Sequence, residues 1–141
     1  MSILTTTTQV RVRYADTDKM GVVYYSNYAV FYETGRTEMF RSLGVPYSAL
    51  EECGVALPVI ELVSHYHKSA KYDDLITVET SLEALPTVKI KINYRILSED
   101  GVLLNDGSTT LVFVDMKTGR PTRCPQSVMD ALKKACGASR E

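Results

Sequence analysis

Two aspartates, Asp16 and Asp18, lie in a segment of small and polar residues that leads into a predicted helix. The free backbone N–H groups and the positive end of a helix can polarise a carbonyl oxygen. Hydrolysis of an activated acyl group needs a carboxylate beside such donors, because the carboxylate attacks the carbonyl or activates a water while the N–H groups stabilise the oxyanion. Aspartates are also common turn formers, so a purely structural role for either carboxylate stays open at this point.

Other chemistries have less support in the sequence. His65 and His67 are two residues apart in a predicted strand and therefore share one face, which could suit a metal. Because no third ligand has suitable spacing, we interpret them as ordinary histidines and predict no metal site. Cys53, Cys124 and Cys136 form no CxxC pair and are odd in number, so we expect reduced thiols. Neither Cys53 nor Cys124 has a histidine at a spacing typical of a cysteine nucleophile. The motifs of serine hydrolases, P-loop proteins and dinucleotide-binding proteins are absent from the sequence.

The composition is typical of a soluble globular protein. The chain has 141 residues, with 16 Lys+Arg, 17 Asp+Glu and a formal net charge of −1. This predicts one domain spanning residues 1–141 and no general attraction to nucleic acid. Apolar runs are shorter than the roughly 18 residues of a transmembrane helix. The first residues lack the pattern of a signal peptide, which, with reduced cysteines, predicts a cytoplasmic location.

The elements that must position the aspartates follow from the hydrophobic periodicity. Apolar residues recur with helical spacing over residues 27–43, which predicts an amphipathic helix about 25 Å long with Ser26 or Asn27 as its N-cap. A shorter helical segment is predicted between Pro46 and Gly54. The four threonines at 5–8 are interpreted as a polar lead-in. Strands are predicted at 10–14, 55–66, 75–82 and 88–96, and the segments 102–104 and 109–115 are predicted to continue the sheet as its fifth strand. A C-terminal helix is predicted at 125–135.

This order of elements predicts an α+β fold: an antiparallel five-stranded sheet with one long helix laid on one face. The strands that follow the two helices are joined largely by hairpins. Because one helix cannot fully cover five strands, we expect the fold to complete itself by forming a dimer.

The aspartate segment resembles the signature of the 4-hydroxybenzoyl-CoA thioesterase family of the hotdog superfamily. Within that family it is most similar to the YbgC-like acyl-CoA thioesterases associated with the Tol-Pal system. The resemblance covers nearly the whole chain, from about residue 10 to residue 128. It rests on residues 14–28 and on five further short motifs, at 31–33, 36–39, 71–75, 103–105 and 114–115.

The resemblance implies a hotdog fold, in which a curved antiparallel sheet wraps around the long helix. It also implies a homodimer or homotetramer whose protomers share the active site. The resemblance further implies that Asp18 is the catalytic carboxylate and that the backbone N–H of Tyr25 polarises the thioester carbonyl, whereas Asp16 forms a turn or accepts a hydrogen bond behind the site. Tyr25 is the one departure, since we associate the Tol-Pal branch with histidine there and the 4-hydroxybenzoyl-CoA branch with tyrosine. This departure leaves open which acyl group is the substrate, and it bears less on the type of reaction.

We therefore expect an acyl-CoA thioesterase that needs no cofactor and yields a carboxylic acid and free CoA. Asp18 acts either as a nucleophile or as a general base, and the sequence leaves both roles open. Four lysines, named in the next sentence, are assigned to the CoA phosphates, and the alternative interpretation of these lysines is a solvated basic face of a strand. The residues expected to contact the acyl thioester are Gly21, Tyr24, Tyr25 and Val59, with Val22 and Val23 beside them, and those assigned to the CoA phosphates are Lys68, Lys71, Lys89 and Lys91.

Two rival functions use the same fold. A hydratase or dehydratase acting on acyl thioesters needs a histidine near the substrate α-proton, and neither histidine lies in the aspartate segment. A non-catalytic hotdog protein that binds acyl-CoA, or that scaffolds a cell-envelope (Tol-Pal) complex, has no need of the Asp18 carboxylate. The sequence does not distinguish CoA from an acyl carrier protein as the group that carries the acyl chain.

Overall fold

The computed structural model describes residues 1–140, except for the side chains of residues 138–140. A 3-10 turn at Tyr14–Asp16 separates the first strand from the first helix. In chain order, the other elements are β1 (Leu4–Arg11), α1 (Asn27–Ser42), α2 (Tyr47–Glu52), β2 (Val55–Ala56), β3 (Val59–Tyr66), β4 (Leu75–Leu82), β5 (Lys89–Leu97), β6 (Leu103–Val112), β7 (Val114–Asp115) and α3 (Gln126–Arg140).

Within residues 1–140 the main sheet has five antiparallel strands in the order β1-β4-β5-β6-β3, which confirms the predicted α+β fold. β2 and β7 pair separately as a short antiparallel ribbon. Every second residue of β4 and of β5 is buried. This alternation gives the sheet one apolar face, against which α1 packs.

The predicted long helix is confirmed as α1, and its buried side chains form the expected stripe. Gly35, in the middle of α1, is the point of closest approach to β4, because a Cβ there would overlap the side chains of Thr80 and Val78. This close packing explains a glycine at a position where helix propensity favours alanine. Ser26 is the N-cap residue, but neither it nor Asn27 caps the helix through its side chain as expected.

Two strand predictions are wrong. Residues 5–8 are not a lead-in but lie inside β1, which pairs with β4 from Leu4 opposite Leu82 to Arg11 opposite Leu75. β1 also ends at Arg11, so that Tyr14, which was predicted to lie in this strand, belongs to the 3-10 turn. The single strand predicted at 55–66 is interrupted at residues 57–58, because the proline there has no N–H to donate to a strand ladder.

The C-terminal half differs from the prediction mainly in element lengths. The two segments expected at 102–104 and 109–115 are joined in one continuous strand, β6, followed by the short β7. The C-terminal helix is confirmed, although α3 continues beyond the predicted residue 135 to Arg140. None of the helices formed by residues 1–140 has the length and apolar character needed to cross a membrane.

β3 is an edge strand, so one side of its backbone has no partner strand in the sheet. All of its residues except the half-buried Ser64 are exposed. Exposed apolar edge strands are templates for pairing with another chain. The exposed apolar side chains of β3 are Val59, Ile60, Leu62, Val63 and Tyr66.

Candidate active site

Asp18 lies in a tight turn between the 3-10 turn and α1. Its Oδ1 accepts a hydrogen bond from the Met20 N–H at 2.8 Å. The Asp18 N–H donates to the Val22 carbonyl at 2.9 Å, and the Gly21 N–H donates to the Asp18 carbonyl at 3.0 Å. Gly21 has a φ of +78°, a left-handed conformation that glycine adopts without strain. The turn thus orients the half-buried carboxylate and leaves Oδ2 without a hydrogen-bond donor among the residues described.

Asp16, in contrast, is buried and serves the fold. Its Oδ1 accepts a hydrogen bond from the Arg13 guanidinium, and its Oδ2 accepts one from the Arg13 backbone N–H, both at 2.9 Å. Burial by itself would raise the pKa of Asp16, but the hydrogen bonds and charge of Arg13 outweigh it and lower this pKa below its ordinary value. The contacts agree with a turn-forming role for Asp16.

The Asp16→Asn variant is expected to be less stable than wild type at pH 7 by about 1–3 kcal/mol, because the donors of Arg13 lose a charged acceptor. Since the folded-state pKa of Asp16 is lowered, the stabilisation is complete above the ordinary carboxyl pKa of about 3.9 and is lost as the pH falls through the folded-state value. Urea unfolding at pH 7 and pH 3 measures this effect. The stability difference between the two proteins should shrink at pH 3, and a difference independent of pH would contradict a charge-based role.

The chain enters α1 through a hydrogen-bonded segment in which the backbone N–H groups of Tyr25 and Ser26 have no acceptor among the residues described, and of these two residues Tyr25 lines the cavity beside Asp18. The Tyr24 N–H donates to the Asp16 carbonyl at 2.9 Å, and the Asn27 side-chain amide donates to the same carbonyl at 2.8 Å. The Asn27 N–H donates to the Tyr24 carbonyl at 2.9 Å. Between these bonds, the Tyr25 N–H has no acceptor in the part of the chain that the structure describes. It is therefore available to a ligand oxygen.

A cavity of about 340 Å³ opens beside Asp18. One wall is the aspartate segment with the start of α1, and the other is the end of β3 with the residues that follow it, 66–69. The Tyr24 and Tyr25 rings lie in the first wall with their centroids 4.7 Å apart. Interaction with Tyr25, followed by burial and the Asp18 carboxylate, raises the pKa of Tyr24, so its phenol stays protonated at neutral pH and can donate a hydrogen bond.

Contacts between the walls hold the cavity in shape. The Val23 N–H donates to the Ala70 carbonyl at 2.8 Å, and Val22 forms an isolated antiparallel bridge with Lys71. The buried Tyr28 hydroxyl accepts a hydrogen bond from the Ala70 N–H at 3.4 Å. Lys71 therefore lies directly behind the aspartate segment, next to the cavity.

The structure brings six of the predicted residues to the cavity and leaves five outside its walls, one of which is Lys71, the bridge partner of Val22. Gly21 shapes the Asp18 turn without lining the cavity. Val59 is at the opposite end of β3 from the cavity. Lys89 and Lys91 lie on the exposed face of β5, away from α1. The predicted residues that line the cavity are Asp18, Val22, Val23, Tyr24, Tyr25 and Lys68.

Sequence reasoning missed four lining residues: Tyr28, Tyr66, His67 and Ser69. Tyr28 belongs to the apolar stripe of α1, and Tyr66 ends an apolar strand, so each has a local pattern typical of a core residue. Their position in the site depends on how β3 packs against the start of α1. The only local signal was that Tyr66 and His67 shortly precede the motif at 71–75.

His65 and His67 share one face, as their spacing predicts, and both face Asp106. The distances from Asp106 Oδ1 are 3.2 Å to His65 Nδ1 and 3.3 Å to His67 Nε2. The carboxylate is thus a hydrogen-bond partner for both rings. Within residues 1–140 no group of three or more His, Cys, Asp or Glu side chains is arranged to hold a metal ion.

Known proteins share both the sequence and the shape of this chain. The sequence profile of the thioesterase-like superfamily matches residues 12–132. The acyl-CoA thioester hydrolase YbgC of Escherichia coli is 34% identical over 125 residues, which are 89% of this chain and 93% of that protein. The acyl-CoA thioesterase YbgC of Haemophilus influenzae is 35% identical over 124 residues, covering 87% of this chain and 90% of that protein.

A solved structure agrees with the sequence comparisons. The crystal structure of a DHNA-CoA thioesterase from Staphylococcus aureus superimposes with a TM-score of 0.88 and 32% identity, covering 96% of this chain and 93% of that chain. The five-stranded antiparallel sheet of residues 1–140, packed on the long helix α1, is the hotdog arrangement. The chain therefore belongs to the thioesterase-like superfamily and has its hotdog fold.

Proposed function

We propose that this protein hydrolyses acyl-CoA thioesters to a free carboxylic acid and CoA. Its family and the names of its relatives support a thioester hydrolase. The observation that carries the proposal is the cavity in which the Asp18 carboxylate and the free Tyr25 N–H meet. A carboxylate and an oxyanion donor on one cavity are the two groups that acyl transfer to water requires.

In the proposed reaction the thioester oxygen accepts a hydrogen bond from the Tyr25 N–H, and the protonated Tyr24 phenol lies beside it. As a general base, Asp18 takes a proton from water, the water oxygen bonds to the acyl carbon, and the C–S bond breaks. The CoA thiolate then takes up a proton. As a nucleophile, Asp18 bonds to the acyl carbon with release of the CoA thiolate, and water hydrolyses the resulting anhydride. The free Oδ2 supports both roles equally.

The CoA moiety is assigned to the side of the cavity that carries Lys68. This lysine lines the cavity wall, and Lys71 lies next to that wall through its bridge with Val22. Ammonium groups bind phosphates through charge-assisted hydrogen bonds, so both lysines suit the CoA phosphates. A CoA-binding role for Lys89 and Lys91 stays a prediction, because in one protomer they lie outside the cavity walls.

The active form in this proposal is a homodimer paired through β3. Antiparallel pairing of this strand with its copy about a two-fold axis satisfies the unpaired edge and covers its apolar side chains. It also brings Val59 of one protomer towards Tyr66 of the other, and hence towards the Asp18 cavity. Val59 then reaches the acyl pocket across the interface. Association of two such dimers into a homotetramer remains a prediction.

A cytoplasmic location is part of the same proposal. Cys53, Cys124 and Cys136 are all free thiols, as is usual in a reducing compartment. Acyl carrier protein remains a second possible carrier of the acyl group, because the cavity accounts for the thioester but not for the identity of the carrier.

Thiol release from a panel of short-chain, long-chain and aromatic acyl-CoA thioesters tests the proposed function. Wild-type protein is expected to release CoA from at least one of them, and the panel then identifies the acyl class. A matching acyl carrier protein thioester compares the two carriers. Binding of the thioesters without thiol release would contradict hydrolysis and favour the non-catalytic acyl-CoA-binding protein. If the protein neither binds the thioesters nor releases thiol from them, a scaffolding role in the cell envelope is the alternative that remains.

A further inference from the structure

Tyr66, the last residue of β3, connects the edge strand to the start of α1. Its phenol O–H donates a hydrogen bond to the Tyr25 carbonyl at 3.2 Å. Its ring packs edge-to-face on Tyr28 with a centroid distance of 5.4 Å. Tyr66 is 52% exposed and lines the Asp18 cavity, so it is not a core residue that the fold needs for burial alone.

The contacts around Tyr25 show why this hydrogen bond matters. On the N-terminal side, two 2.9 Å bonds hold Tyr24: its N–H donates to Asp16, and its carbonyl accepts from Asn27. On the C-terminal side, the only backbone donor to the Tyr25 carbonyl among the residues described is the Tyr28 N–H, at a long 3.3 Å. Both this bond and the 3.2 Å bond from the Tyr66 hydroxyl are long, so neither donor fixes the carbonyl alone. The Tyr66 hydroxyl is therefore the second of two donors that fix the orientation of the Tyr25 carbonyl.

We propose that Tyr66 is a positioning residue for the oxyanion contact, acting through the backbone of Tyr25. The Tyr25 N–H shares its peptide plane with the Tyr24 carbonyl, which the Asn27 N–H holds, whereas the Tyr25 carbonyl belongs to the next peptide plane. By holding that next plane, Tyr66 restricts rotation about the Tyr25 Cα, so that both planes stay fixed and the Tyr25 N–H stays directed at the thioester oxygen. A donor must be oriented before the charge develops if it is to stabilise the transition state more than the ground state. This inference rests on the proposed thioesterase activity and on the Tyr25 N–H as its oxyanion donor.

The Tyr66→Phe variant tests the proposal, because it removes only the hydroxyl and keeps the ring against Tyr28. With the thioester that the panel identifies as a substrate, kcat should fall roughly threefold to tenfold, which corresponds to one ordinary hydrogen bond. KM, the thermal midpoint and the oligomeric state should stay at their wild-type values. The matched control is Tyr72→Phe. Tyr72 is similarly exposed and packs edge-to-face on Tyr14, and its hydroxyl makes no hydrogen bond to a residue that the structure describes.

Each other outcome overturns the inference in a recognisable way. If Tyr66→Phe has the kcat of wild type, the Tyr25 carbonyl does not depend on this hydroxyl. If KM rises while kcat is unchanged, Tyr66 binds the substrate rather than orienting the backbone. If Tyr72→Phe lowers kcat equally, the loss is not specific to the Tyr25 contact. A wild-type protein that releases no CoA refutes the proposed function itself, which separates that failure from a failure of the Tyr66 inference.

Discussion

CoA release by the Asp18→Asn variant is expected to fall by at least about a hundredfold, the loss typical of removing a general base or nucleophile. Asparagine keeps the shape of the side chain, and its amide oxygen can still accept the hydrogen bond from the Met20 N–H. The turn and the cavity should therefore remain folded. The amide can neither attack the acyl carbon as a carboxylate does nor take a proton from water. The loss should lie in kcat, and thiol release under saturating substrate measures it directly.

Two matched variants make the Asp18 result specific. Asp100→Asn changes an exposed aspartate in the turn between β5 and β6 and should keep full activity. Asp16→Asn should reduce stability, as argued above, but leave more activity than Asp18→Asn at a temperature where both are folded. Equal activity of Asp18→Asn and wild type would refute a catalytic role for this carboxylate. An equally deep loss in Asp16→Asn would mean that the shape of the loop, rather than the Asp18 carboxylate, carries the effect.

The second large effect is expected from the double variant Ile60→Lys/Leu62→Lys on β3. Both side chains are exposed in the single protomer, so the substitutions should leave its fold intact. Lysines on an edge strand oppose pairing with another chain through charge repulsion and desolvation. The variant should therefore sediment with the mass of one chain, whereas wild type is expected to sediment with the mass of two or four. Activity should drop by on the order of tenfold or more, because a cavity incomplete without the second protomer loses positioned contacts.

The opposite edge of the sheet provides the control. Thr7 is an exposed residue of β1, the strand at the other end of the sheet, and Thr7→Lys should change neither the mass nor the activity. If the β3 double variant keeps the wild-type mass, the dimer does not pair through β3. If it becomes a single chain with full activity, the second protomer contributes nothing to the site, and Val59 has no place in the acyl pocket.

The sequence alone predicted α1, β4 and the alternation of β5, because each has a strong period of apolar residues that is visible within a few turns or pleats. It failed for β1, where threonines give no apolar alternation and the strand depends on pairing with β4 over its whole length. It also failed at residues 57–58, where a local backbone constraint overrides a continuous apolar pattern.

The first wall of the site was equally visible in the sequence. Asp18, Tyr24 and Tyr25 are close neighbours in the chain, so a turn leading into a helix is enough to place them together. The distinction between the two aspartates came from the family resemblance, since both lie two residues apart in the same segment before the helix. The contacts of Asp16 with Arg13 give the physical reason for its structural role.

The second wall of the cavity was decided by the tertiary structure alone. Tyr66 is 41 residues away from Tyr25 in the chain, and no local periodicity relates them. They meet because the strand order puts β3 at the sheet edge and because residues 70–71 bond to the aspartate segment. Val59 begins β3 and Tyr66 ends it, so Val59 lies at the end of the strand away from the cavity. The hydrophobic periodicity of a segment indicates which side of that helix or strand is buried. A cavity depends instead on which distant elements hydrogen-bond to each other, and no single segment of sequence encodes that pairing.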